Sequence, residues 1–150
     1  MSPLPSPDDL ERSPVWSVIR AAHTLERQVT ALFAVYDLTP VQFGVLSYLG
    51  AKGPMTTAEV ARSVLVRPQS IAGVVNNMDQ RGLVIRIRPR GRGRSNPMKL
   101  TKSGEKLLSQ VWPRFEQANT ADNLGLSQEQ AVSLPLLMRA LLASHEADRR

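Results

Sequence analysis

Five arginines, Arg86, Arg88, Arg90, Arg92 and Arg94, occupy alternate positions, so in an extended chain their side chains project to one side. The chemistry open to such a row is attraction of a polyanion, which for DNA gains mainly from the release of condensed counterions. The charge is local. Nine of the 19 basic residues fall between positions 81 and 106 with one acid, Glu105, so this window carries +8 while the 150-residue chain carries +6 and the remainder −2. A second set lies upstream: Gln69, Ser70, Ala72, Gly73, Asn76 and Asn77 are small or amide-bearing and include no acid, a composition that permits close approach and hydrogen bonding to base edges.

Other chemistries find little here. The absence of cysteine excludes a disulfide scaffold, a thiolate zinc site, a catalytic cysteine and a thiol redox sensor. His23 and His145 fall on separate predicted helices, the carboxylates are scattered, and no glycine-rich phosphate loop follows a strand, so neither an enzyme nor a metal or cofactor site is expected. With 42% hydrophobic residues the chain can bury a core, yet no run reaches the length of a membrane span. The opening MSPLPSPDDLERSP lacks the basic and then apolar order of a signal peptide, and a cytoplasmic protein without membrane association is expected.

The elements that must position these residues follow from caps and periodicity. Positions 1 to 12 read as frayed. Ser13 and Pro14 open a helix of about six turns whose apolar stripe runs from Val15 through Ile19, Leu25 and Phe33 to Tyr36, suited to packing or oligomerisation. Thr39 and Pro40 cap a helix that Gly53 and Pro54 close. The Thr56–Glu59 spacing is a capping box opening a third helix, and a fourth runs from Pro68 to about Arg81, with Gly82 as its C-terminal cap. These two short helices, joined at Leu65 to Arg67, have the proportions of a helix-turn-helix. Leu83, Ile85 and Ile87 then alternate with Val84, Arg86 and Arg88, predicting a half-buried strand with the isoleucines inward. A turn with Pro89, Gly91, Gly93 and Pro97 follows, and Met98 to Leu100 returns as an edge-type strand. A helix with Leu107, Leu108, Val111, Trp112 and Phe115 contains Pro113, and a last helix from Ser127, boxed by Gln130, contains Pro135, with bends expected at both prolines. The expected fold is therefore mainly α with a small β-hairpin wing: a winged helix-turn-helix lobe over about 38–101, and a helical dimerisation region from about 13–37 and 102–147, in one domain spanning 1–150.

Four pieces in this order resemble the MarR family of bacterial winged-helix transcription regulators over roughly positions 14 to 145. They are Leu38-Thr39-Pro40-Val41-Gln42-Phe43, the stretch MTTAEVA, the stretch VRPQSIAGVVNNMDQRGLV, and the LTKSG of Leu100 to Gly104. The resemblance implies a homodimer whose first and last two helices interlock, with two lobes on a pseudo-palindromic double-stranded DNA operator, acting most simply as a repressor released by a small-molecule effector. By position, Gln69 and Ser70 resemble base-reading residues, Arg67, Asn76 and Asn77 backbone contacts, and Arg94 the second Arg of the family's DxxDRR wing; Pro68 and Gly73 complete the DNA-facing set with Arg86, Arg88, Arg90 and Arg92. Arg92 and Gly93 stand where that wing pattern has Asp and Arg. An effector pocket is likewise only implied, with Trp16, His23, Tyr48 and Trp112 as candidate lining that reads more simply as packing.

The rival reading is a basic binder of RNA or single strands, suggested by GRGR. Stacking aromatics should then accompany the arginines, and none occurs between Tyr48 and Trp112.

Overall fold

A hydroxyl followed by proline opens each of the first three helices. Ser6, Ser13 and Thr39 accept the backbone N–H of Asp9, Trp16 and Gln42, and the next residue is a proline, whose fixed φ suits a first turn that needs no donor. The helices are α1 (Pro7–Glu11), α2 (Pro14–Ala34) and α3 (Pro40–Lys52). The computed structural model describes residues 4–87 and 96–147. The segment expected to fray thus contains α1, formed because Asp9 returns a carboxylate to the Ser6 backbone N–H at 2.8 Å.

Next come α4 (Thr57–Ser63) and α5 (Pro68–Gln80), two strands β1 (Val84–Arg86) and β2 (Met98–Leu100), then α6 (Lys102–Ala118), α7 (Ala121–Leu124) and α8 (Gln128–Ala147). Four turns stop helices in the same way. Asp37, Leu65, Gly82 and Gly125 sit at φ 55, 56, 69 and 67°, and each following N–H reaches back five residues: Leu38 to Phe33, Val66 to Ala61, Leu83 to Met78 and Leu126 to Ala121. At two of these stops the left-handed position lacks the glycine that would adopt it without strain.

The described residues form two compact units, one ending at Val111 and the other beginning at Trp112. In the first, Phe33 of α2 stacks on Phe43 of α3 with centroids 4.2 Å apart. Val45, Leu46, Val60, Ile71, Val75, Met78, Val84 and Met98 fill the interior of the lobe, with Met55 at its margin. β1 and β2 pair antiparallel, Val84 opposite Leu100 and Arg86 opposite Met98. Met98 also exchanges two backbone hydrogen bonds with Met55, at 2.8 and 3.0 Å. At this residue β2 is therefore flanked on both sides, not the edge strand expected.

The hairpin faces the other way from the sequence expectation. Val84 is buried, whereas Ile85 and Ile87 are 48% and 42% exposed. Arg86 thus shares the inward side of the pleat with Val84, Met98 and Leu100. The cause is tertiary: Leu83 is itself buried in the turn, its N–H spent on Met78 and its carbonyl on Thr101, so the strand's alternation starts from Val84.

In the second unit, the end of α6 places Trp112 and Phe115 with ring centroids 5.7 Å apart. Thr120 caps α7, and Ser127 and Gln130 form the expected box before α8. Among the described side chains of α8 none is fully buried, and Val132, Leu137, Leu141 and Leu142 stand exposed. Among the described residues no helix is long and apolar enough to cross a membrane.

Candidate nucleic-acid interface

α5 begins without a side-chain cap. Arg67 holds the N-cap position in extended geometry, Pro68 follows, and the first turn contains no acid. The positive end of the helix dipole is therefore offset by no local carboxylate, and the guanidinium of Arg67 adds to the same field. Gln69, Ser70, Gly73 and Asn76 are exposed, as expected for one outward face, while Ile71, Val75 and Met78 are buried on the other. A β-carbon built on Gly73 would meet nothing within 4 Å. Packing within this chain therefore does not demand glycine there.

The C-terminal half of that face is tied into the protein by its amides. Asn76 Oδ1 accepts from Arg86 Nη2 at 3.5 Å, a long contact that brings the first wing arginine beside the helix. Asn77 Oδ1 accepts from Gln42 Nε2 at 2.9 Å. Gln42 lies in α3 and is 9% exposed, and its Oε1 accepts the Thr39 backbone N–H at 2.9 Å. Its place in this network escapes sequence reading because the partners are 35 residues apart. The Thr39–Gln42 spacing, which matches a capping box, was the one available signal.

Arg81, also in the basic window, pairs with Asp37 at 3.6 Å, the one ion pair among the described residues. Arg88, Arg90, Arg92 and Arg94 lie outside the described residues. Of the candidate effector-lining residues, Trp16 and His23 are exposed on α2, Tyr48 carries Lys52 Nζ 5.3 Å from its ring centroid, and Trp112 belongs to the second unit.

Two helices joined by a tight turn, followed by a hairpin that a third backbone segment bridges, constitute a winged helix-turn-helix. The MarR family profile matches residues 36–95. The transcriptional repressor NicR of Pseudomonas putida is 27% identical over 149 residues, covering 95% of this chain and 94% of that protein. The transcriptional regulator FarR of Neisseria gonorrhoeae is 24% identical over 130 residues, covering 87% and 89%. Among solved structures, a MarR family transcriptional regulator from Silicibacter pomeroyi superposes with a TM-score of 0.78 at 20% identity, covering 95% of this chain and 96% of that one. NadR in complex with 4-hydroxyphenylacetate gives 0.74 at 23% identity, covering 93% and 97%. The Staphylococcus aureus MepR–DNA complex gives 0.73 at 20%, covering 89% and 97%. The chain belongs to the MarR family of winged-helix transcriptional regulators.

Proposed function

We propose that the protein is a homodimeric repressor that binds a pseudo-palindromic double-stranded operator and leaves it when a small-molecule effector binds. The observation that carries the reading is the α5 surface: an acid-free helix start with Arg67, Pro68, Gln69 and Ser70 outward, and Asn76 beside Arg86 of the wing. In this reading Gln69 and Ser70 contact base edges, with Gly73 allowing close approach. Arg67, Asn76 and Asn77 hold phosphates, and Arg86, Arg88, Arg90, Arg92 and Arg94 supply the wing's charge. Residues 38–101 form the DNA-binding lobe of a single domain. Dimerisation falls to the helices of about 13–37 and 102–147, in keeping with the apolar side chains that α2 and α8 leave exposed in one copy, among them Val15, Ile19, Val132 and Leu137.

The repressor assignment is supported by the naming of NicR, and the effector by the 4-hydroxyphenylacetate held by NadR. The test is a gel-shift titration on the DNA upstream of the protein's own gene, at rising salt. Log K should fall by about 0.9 for each phosphate neutralised per decade of salt, with preference over random duplex retained. Equal affinity for random duplex or for single strands would overturn the reading.

A further inference from the structure

We infer that Gln42 is a positioning residue that fixes which way the Asn77 amide faces, so that α5 presents a donor to the phosphate backbone at that position; this rests on the DNA-binding reading above. The inference follows from the direction of two hydrogen bonds. The Thr39 backbone N–H can only donate, so the Gln42 atom 2.9 Å from it is the amide oxygen. The Gln42 nitrogen is then committed to the other side, where it lies 2.9 Å from Asn77 and must donate. Asn77 answers with Oδ1, and its NH2 group is left on the outward side of an exposed residue.

A helix start in α3 thereby sets the polarity of a side chain in α5, 35 residues away. Because Gln42 is nearly buried, little water competes for its amide and the relay is held in one sense. The neighbouring amide faces a weaker form of the same choice: Arg86 Nη2 can only donate, so Asn76 turns its oxygen toward the wing across a longer, exposed 3.5 Å contact. Two consecutive amides therefore display NH2 groups. Phosphodiester oxygens only accept, so this is the polarity that a backbone contact requires, and an amide already locked in it loses less side-chain freedom on binding.

The test uses the full-length protein, a duplex of random sequence long enough to span two lobes, and the side-chain amide region of its 15N NMR spectrum. In the wild type, the Gln42 NH2 protons should be protected from solvent exchange and the Asn77 NH2 protons should not. Asn77→Ala, which deletes the outward donor without adding charge, should weaken duplex binding on the order of tenfold. Gln42→Met removes both Gln42 bonds and leaves the Asn77 amide free to turn either way. Gln42→Glu keeps an oxygen for Thr39 but offers a second oxygen to Asn77, which must turn, donate inward and expose its carbonyl. Gln42→Glu should therefore bind the duplex several-fold more weakly than Gln42→Met, with the Asn77 NH2 protons now protected. A purely structural Gln42 would leave the Asn77 exchange unchanged and make Gln42→Met at least as weak, and that result overturns the inference, as does wild-type affinity in Asn77→Ala. Should Gln42→Glu fail to fold, Asn77→Ala and the wild-type amide spectrum decide. Should the wild type bind no duplex, the regulator reading fails, and the same spectrum still settles the amide's direction.

Discussion

The carbonyl oxygen of Leu83 occupies the space in which a β-carbon of Gly104 would sit. That carbonyl also accepts the Thr101 N–H at 3.1 Å, while the Thr101 hydroxyl donates to the Gly82 carbonyl at 2.5 Å and accepts from the Gly104 N–H at 3.1 Å. The glycine of LTKSG thus lets α6 start directly against the turn that launches the wing. Gly104→Ala should cost about 1–3 kcal/mol, the usual range for forcing an atom into occupied space, read as a lowered denaturant midpoint. An unchanged midpoint would mean that the turn yields freely.

Leu65 joins the two helices of the helix-turn-helix in left-handed geometry with its side chain exposed. That conformation costs a non-glycine residue roughly 1–2 kcal/mol, and glycine's extra chain entropy returns about 0.5–1 kcal/mol of the gain. Leu65→Gly should therefore leave stability equal or up to about 1.5 kcal/mol higher. Leu65→Val, branched at the β-carbon, should lower it. Thermal melts of the pair check both signs.

Gly73 separates stability from recognition. With open space around its missing β-carbon, Gly73→Ala should stabilise α5 by about 1 kcal/mol in chemical denaturation. If the position faces bases closely, the same variant should bind its preferred duplex less tightly despite being more stable. Gains in both would show that DNA does not approach this point of the helix.

Glu59 supplies a pH dependence. The Thr56 backbone N–H and hydroxyl beside it hold its carboxyl below the ordinary glutamate value. A depressed value means stabilisation that is fully present above the unfolded-state pKa and is lost as pH falls through the folded-state value. Glu59→Gln keeps an oxygen for the Thr56 N–H but cannot titrate, so it should flatten the loss of stability on acidification below about pH 5. Identical acid profiles for the variant and the wild type would remove Glu59 from the account.

Base reading and charge should divide between residues. Gln69→Ala should reduce discrimination between preferred and random duplex by about 1–3 kcal/mol, whereas Arg86→Ala should weaken both and lower the salt slope by about one. Fluorescence anisotropy on the two duplexes at several salt concentrations distinguishes them. Equal loss of discrimination in both variants would contradict the division.

The features readable from the sequence are those written over three or four residues. The hydroxyl of Thr56 and the carboxylate of Glu59, Pro68 at a helix start, and Gly82 at its end each act on a single turn, and α5 ends within one residue of its expected limit. The side of the hairpin that faces inward is not local: it depends on Met55 bridging Met98 and on the Leu83 carbonyl meeting Gly104, contacts between distant segments. Isoleucine's greater hydrophobicity pointed to the wrong face because the turn had already chosen it. Likewise the surface of α5 was legible as a set of side chains, but the direction of the Asn77 amide requires Gln42 and Thr39 to be in place.

Met78 and Met98 lie in the interior of the lobe with no exposed surface, and Met55, whose backbone bridges that of Met98, is also buried. In a chain without cysteine the methionine thioethers are the oxidisable sulfur, and of its five methionines these three are shielded by burial until the lobe opens. Their rate of conversion to sulfoxide under mild peroxide, followed by mass spectrometry, is thus an intrinsic clock for the opening of the lobe, and a bound duplex that clamps the lobe should slow it.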